Sequence, residues 1–428
     1  MEITPVAKPK TLHCPNCGGP VERRGYGHTL TIACPQCASV IDASTPLFEV
    51  VQTFERAVTR QPLIPLGTRG NWDKATWEVI GFQVRGIEVD GDHFEWEEYL
   101  LFNPYRGFRY LTHYNGHWNY VTPLESIPAG SGAPAIHSRT HKHFASSEPV
   151  TTFVLGEFPW RVRVGDRVRA SDYISAPYIL SEESTGNETT WSEGVYVPGW
   201  HIWKAFNLPG SAPYAHGVYL NQPSPYTGVG ALWLKAFALI GVTLALMAFF
   251  GMFSKRETVL EVQRSFAAGA TEPSFTTRPF DLTGRPATVE VSTRTNLSNN
   301  WAYFNYALIN DETGVAYDFG REISYYSGAD SDGSWSEGGA SDSVILPAVP
   351  PGRYYLLVEP ETQSAVPVNF DIRLRHDVPT YTWFWIIIAL LLIPPIFRAI
   401  QAANFERMRW AESDHAPTFN TSDEDDDE

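Results

Sequence analysis

Two stretches of this chain carry almost no polar positions. Residues 232–253 (LWLKAFALIGVTLALMAFFGMF) hold one charge, Lys235, and residues 236–253 hold none. As a helix rising 1.5 Å per residue, the run covers about 33 Å, enough for a bilayer core. Residues 378–397 are uncharged, with Tyr381, Trp383 and Trp385 near one end, where amphipathic rings favour the headgroup layer. Both are expected to be transmembrane helices. Pro394 and Pro395 are expected to kink the second or end it early. Beyond them, Ile400, Ala403, Phe405, Met408 and Trp410 recur among Gln, Glu and Arg, the pattern of an amphipathic helix lying on a membrane surface.

Elsewhere the pattern is short alternation broken by turns. Residues 77–84 (WEVIGFQV) read as a strand with a bulge or turn at Gly81, followed by strands over 94–102, 107–113 and 117–121. The last two flank Asn115-Gly116, a strong hairpin signal. Arg161, Arg163 and Arg167 alternate with Val162, Val164 and Val168 around Gly165-Asp166, which predicts a hairpin with one basic face. Residues 131–147, rich in Ser, Ala and His, read as an exposed linker, with His137, His141 and His143 as weaker metal or anion ligands. Residues 48–210 therefore predict an aromatic-rich, β-barrel-like domain or a duplicated sheet with halves at 48–125 and 151–206. A Pro/Gly/Tyr-rich connector, 208–230, leads to the first apolar run. Between the apolar runs, residues 258–377 hold six alternating segments, as in a β-sandwich. The loop 327–342, with Asp330, Asp332, Glu337 and Asp342, offers calcium ligands but lacks the ordered EF-hand pattern, and a solvated loop is the simpler reading.

The fold class is thus mainly β: an N-terminal ribbon, a barrel-like or duplicated sheet, and two transmembrane helices (232–253 and 378–397) enclosing a sandwich. The ribbon follows from the cysteines. All four lie at Cys14, Cys17, Cys34 and Cys37, as two CxxC turns in residues 10–42. Such knuckles complete a four-sulfur tetrahedron suited to Zn²⁺, with an iron centre or redox disulfides as poorer fits. Four thiolates leave no open position, so the zinc is expected to be structural. His13 and His28 read as neighbours or surface residues. The chain of 428 residues has formal charge −16, which disfavours non-specific nucleic-acid binding. Residues 398–428 end in DEDDDE, expected to be disordered. No apolar run follows the polar start, so the first crossing is expected to insert as an internal signal anchor.

The strand containing Trp77 and Gly81, the run Trp96-Glu-Glu-Tyr-Leu-Leu-Phe102, Gly107-Phe-Arg-Tyr-Leu111, Gly116-His-Trp118, Gly156-Glu-Phe-Pro-Trp160 and Glu188-Thr-Thr-Trp191 resemble a bacterial family, the domain of unknown function DUF4178. The resemblance spans about residues 48–210. It implies a bacterial protein, often encoded beside polyamine-synthesis-like enzymes, small membrane proteins and phage-shock-like proteins, and implies no catalytic residues.

Three functions are compatible with these patterns. The leading expectation is a membrane-anchored scaffold or adaptor that binds a cytosolic protein partner through the ribbon and β domain, with enzyme activity left open. A second is recognition of a cationic metabolite such as a polyamine by Glu95, Glu97 and Glu98 with nearby rings. Alternation puts Glu95 and Glu97 on one face and Trp96 and Glu98 on the other, and a solvated face is the plainer reading. A third is a subunit of an oligomeric membrane pore. The expected location is the bacterial inner membrane. Lys255, Arg256, Arg264, Arg373 and Arg375 flank one side and Lys235, Arg398, Arg407 and Arg409 the other, so charge leaves orientation undecided. The reduced cysteines favour cytoplasmic termini and an outer sandwich.

Overall fold

The structure, a computed structural model, describes residues 10–53, 60–89, 91–130, 132–186, 188–267, 269, 274–331, 333–363 and 366–415. The acidic run 423–428 and Asp332 lie outside the described residues. The chain divides into two compact units, Met1–Val229 with Phe397–Glu428, and Gly230–Ile396.

The first unit starts with β1 (Lys10–His13), β2 (Pro20–Arg23), β3 (Thr31–Ala33), β4 (Val40–Asp42) and β5 (Val50–Gln52). A meander follows: β6 (Arg69–Trp72), β7 (Ala75–Val89), β8 (Asp92–Asn103), β9 (Gly107–Tyr114) and β10 (His117–Pro123). After the short β11 (Ala135–Ile136) and β12 (Arg139–Thr140) come β13 (Lys142–Ser147) and β14 (Val150–Phe158). A second meander comprises β15 (Arg169–Ser175), β16 (Tyr178–Thr185) and β17 (Glu188–Val197), and helix α1 (Gly199–Ala205) follows. One 13-stranded sheet runs β13-β15-β16-β17-β10-β9-β8-β7-β14-β3-β4-β5, with β6 on β7.

That sheet curls but does not close into a barrel. It bends far enough that Val150, at the start of β14, forms an isolated bridge with Arg167, just before β15. One face packs Trp77, Phe82, Tyr99 and Trp118 against Ile202 and Phe206 in and after α1. The other packs Ile80, Leu100, Phe102 and Phe158. The Asn115-Gly116 turn read from the sequence has both residues at positive φ, +48° and +85°, as a type I′ hairpin requires. Gly81 sits at a register shift between β7 and β8. A Cβ there would lie 2.5 Å from the Glu157 carbonyl oxygen. Only glycine lets β14 come this close.

Several local expectations change. Residues 161–168 form no hairpin, because Asp166 turns back to receive Thr151 N–H at 2.9 Å and accepts Arg163 N–H at 2.7 Å. The segment 131–147 is not an exposed linker: β13 pairs with β15, and His141 is wholly buried. Strands of both proposed halves join one sheet.

The second unit begins along α2 (Val229–Phe253). Its strands are β18 (Glu257–Phe266), β19 (Phe275–Thr276), β20 (Phe280–Leu282), β21 (Ala287–Thr295), β22 (Asn300–Asn310), β23 (Ala316–Asp330), β24 (Gly333–Gly338), β25 (Ser341–Val349), β26 (Gly352–Thr362) and β27 (Val368–His376). They make two sheets, β18-β27-β21-β25 and β19-β26-β22-β23-β24 with β20 on β26. Alternate residues such as Phe304, Tyr306, Leu308, Val289 and Ile372 fill one core, giving a sandwich. The acidic segment after Ser327 is a β23–β24 hairpin rather than an open loop.

Helix α3 (Thr382–Trp410) is continuous through Pro394 and Pro395. The fixed proline φ suits a helix, and what is lost is the two proline N–H groups. Both α2 and α3 are long and apolar enough to cross a membrane, and only 11% and 6% of their apolar windows are buried. Phe250 and Phe384 meet with ring centres 6.1 Å apart. The last turns of α3 belong to the first unit and are not a free surface helix. Arg409, 3% exposed, donates to the carbonyl oxygens of Leu220 at 2.8 Å and Gln222 at 2.6 Å. Trp410 packs on Phe144.

Candidate metal centre

Cys14 and Cys17 follow β1, and Cys34 and Cys37 follow β3, so each pair sits in the tight turn after a short strand. The two turns repeat one geometry. Gly18 N–H donates to the Cys14 oxygen at 2.8 Å, and Ala38 N–H donates to the Cys34 oxygen at 2.9 Å. Cys14 and Cys34 return bonds to Gly19 and Ser39 at 2.9 and 3.0 Å. Each turn then needs positive φ, met by Gly18 at +74° and, less comfortably, by Ala38 at +56°.

These turns bring all four sulfurs within 4.8 Å of one another. Cys14 and Cys37 Sγ are 3.7 Å apart, and Cys17 and Cys34 Sγ are 3.8 Å apart. A disulfide needs about 2.05 Å. Sulfurs placed tetrahedrally about 2.3 Å from one metal ion sit about 3.8 Å apart, so the set fits a metal ion. Gln36 N–H points at Cys34 Sγ at 3.5 Å, and Asn16 Nδ2 at Cys37 Sγ at 3.7 Å, donors suited to thiolates. Burial pushes the Cys34 thiol up to about 12. Burial opposes ionisation of Cys37 too, but Ser39, Cys17 and Asn16 bring it down to about 6. The histidines are elsewhere: His13 Nδ1 lies 3.2 Å from the Gly18 oxygen, and the His28 ring lies near Phe102 and Phe108.

The centre is part of the large sheet. Through β3, Ala33, Ile32 and Thr31 pair with Gly156, Glu157 and Phe158 of β14. The Glu157 carboxylate, 1% exposed, accepts from the N–H groups of Arg24 and Gly25 and from Thr29 Oγ1. Burial nevertheless raises its pKa.

Residues 65–199 match DUF4178, a domain of unknown function. The cysteine turns precede the DUF4178 segment in sequence, yet β3, β4 and β5 extend its sheet. No curated protein matches the chain. Among solved structures, the CBM22-1 xylan-binding domain of Xyn10C from Paenibacillus barcinonensis is similar at 12% identity over 30% of this chain and 99% of that one, with TM-score 0.15. The infectious bursal disease virus VP2 subviral particle is similar at 9% identity over 88% and 71%, with TM-score 0.20. Both are too distant to bear on function.

Within the DUF4178 segment the three candidate carboxylates do not converge. Glu95 pairs with Arg60 and accepts from Thr152 Oγ1 at 3.2 Å. Glu97 accepts from Tyr99 Oη at 2.7 Å and faces His113 Nδ1 at 3.0 Å. Gly116 N–H donates to His113 Nε2 at 3.1 Å, which leaves the proton on Nδ1 for Glu97. Glu98, on the other face, accepts from Gln83 at 2.6 Å and Trp96 at 2.7 Å. Sequence reasoning passed over the partners of Glu98. Arg85, 6% exposed, reaches across the curl to Glu183 at 2.5 Å, and burial pushes nearby Asp172 up to about 6. The histidine pair is also divided, with His141 buried while His143 bonds Ser146 at 3.0 Å.

Proposed function

We propose that this is a two-pass membrane protein whose front unit is a zinc-stiffened protein-binding module, a scaffold or adaptor. The observation that carries the binding reading is the single sheet shared by the cysteine centre and the DUF4178 segment. A closed four-sulfur site does no chemistry at an open position; it fixes shape, and here it fixes the β3-β4-β5 edge. Zinc is the ion of choice for such a donor set.

Anchoring rests on the apolar helices. Leu234, Phe237, Phe249 and Leu390 are more than half exposed, and helices apolar all round without protein cover need lipid. A reducing compartment keeps the thiols metallated, which supports cytoplasmic termini in a bacterial inner membrane and an outer sandwich. The expected partners are proteins, including products of neighbouring polyamine-synthesis-like or phage-shock-like genes, and further copies of this chain.

The test is purification from the native host in mild detergent after gentle crosslinking, with mass spectrometry of what co-elutes. A stoichiometric partner that is lost in Cys34→Ser supports the adaptor reading. A homo-oligomer with no partner overturns it and favours a pore.

A further inference from the structure

The outer face of the six-stranded sheet in the sandwich differs from that of its four-stranded partner. On the four-stranded side, the exposed Glu261 meets Arg373 at 2.8 Å and the buried Glu290 meets Arg375 at 2.5 Å. On the six-stranded side, Tyr303 of β22 stands in register between Glu361 of β26 and Glu322 of β23. Neither glutamate forms an ion pair among the described residues. Both are exposed, and neighbouring strands lie about 4.8 Å apart, so each glutamate is a direct cross-strand neighbour of Tyr303. Arg353 at the end of this face is paired with Asp311 at 3.4 Å. The chain has no lysine after Lys255.

The aromatic rings are an independent feature. Tyr303 lies against Gly320, where a Cβ would come within 1.8 Å of its hydroxyl oxygen. Trp335 of β24 lies against Gly328, where a Cβ would be 2.8 Å from the indole. The glycines thus provide floors on which both rings rest, while Tyr303 stays 37% and Trp335 45% exposed. Trp335 is followed on the same face by Glu337, opposite Tyr326. Glu322 and Gly328, which mark the two ring positions along β23, are six residues apart, about 20 Å of strand. Covering glycines alone would stabilise the sheet. It would not call for unpaired carboxylates beside the rings.

We propose that this face is a docking surface for an extended polycation, a lysine- or arginine-rich protein segment. Each ring takes a cationic side chain on its open face, and the flanking carboxylates supply the counter-charge. The span between the two rings suits a strand-like peptide with several charges rather than one small amine.

The test is fluorescence anisotropy of an end-labelled decalysine peptide with the full chain in nanodiscs of neutral lipid. The protein is expected to bind decalysine, and not its fully acetylated form, with affinity falling as salt rises. The double variant Tyr303→Leu with Trp335→Leu leaves net charge unchanged and is expected to weaken binding at least fivefold. Glu322→Gln with Glu361→Gln, which keeps side-chain shape, is expected to do the same at an unchanged melting temperature. Full binding by both variants overturns the proposal, because the affinity then belongs to general negative charge such as residues 423–428. Binding of acetylated decalysine, or of an uncharged oligosaccharide in its place, at equal affinity also overturns it.

Discussion

The carboxylate of Glu157 receives the backbone N–H of Gly25 at 2.7 Å, joining β14 to the loop between β2 and β3, which lies between the two cysteine turns. The same group takes Arg24 N–H and Thr29 Oγ1, so three donors of the loop 24–29 depend on one buried side chain. Glu157→Gln places an amide N–H₂ against some of these donors. Leaving a buried donor unsatisfied costs about 1–3 kcal/mol. The variant is expected to unfold at lower urea and to release its metal faster to a chromogenic chelator. A urea midpoint and release rate equal to the parent's would remove Glu157 from this role.

Metal removal should reach beyond the turns themselves. The sulfurs hold β3 and β4, which are also sheet strands of the DUF4178 unit. Purified protein in reducing buffer is expected to hold one zinc per chain by elemental analysis, and Cys34→Ser to hold much less. Chelation should expose residues 24–52 to protease while the β7–β8 hairpin stays protected. Well under one metal per parent chain would sink the zinc assignment.

Much of this was legible in the sequence, because the signals were local. The CxxC spacing brought four sulfurs together, and Asn115-Gly116 set a hairpin whose dihedrals follow from residue type. Period-two alternation separated Glu97 from Glu98, which find different partners on opposite faces. What was hidden depends on contacts distant in the chain. Nothing local to Glu157 tells that it caps a loop more than 125 residues earlier. His141 looked exposed because its neighbours are polar, yet the β13–β15 pairing buries it. Arg407 and Arg409 looked alike as positive flanks, but Arg409 is buried against connector carbonyls.

Acidity tests the interior of the curled sheet. Burial raises Asp172 from 3.8 to about 6, and each pKa unit corresponds to about 1.4 kcal/mol. A carboxyl whose folded pKa is raised contributes its full stability below the unfolded value and loses it as pH rises through the folded one. The front unit should therefore lose on the order of 2–3 kcal/mol from this group between pH 4 and pH 8. Asp172→Asn keeps the shape and cannot ionise, so it should unfold at higher urea than the parent at pH 8 and show a flatter pH dependence. Parallel pH curves for the two proteins would assign the dependence to another group.

Ala38 tests the repeated turn. It adopts the left-handed conformation that Gly18 adopts in the first turn, at φ +56° against +74°. A residue with a Cβ pays about 1–2 kcal/mol there, whereas glycine pays mainly in unfolded-state entropy. Ala38→Gly is expected to be neutral to about 1 kcal/mol stabilising by urea denaturation, with metal content unchanged. A clear loss of stability would mean that the Ala38 methyl, 7% exposed beside the sulfurs, contributes more by packing than its backbone costs.

Arg409 tests how the first unit holds the end of α3. Its guanidinium binds backbone oxygens of Leu220 and Gln222, in the connector just before α2, while its own backbone ends α3. One side chain therefore ties the connector before α2 to the end of α3. Arg409→Met keeps the stem and removes the five donors, leaving buried carbonyls with fewer partners; the expected cost is about 2–4 kcal/mol. Arg409→Lys supplies a charge without the planar fork and should recover only part of that. Hydrogen exchange in nanodiscs reads the effect where it matters: faster exchange over residues 214–226 and 405–415 in the Met variant, with β7 and β8 unchanged. Uniform acceleration across the front unit would show that Arg409 supports the whole fold rather than the clamp, and no change would show that the apolar contact of Trp410 with Phe144 holds the helix end by itself.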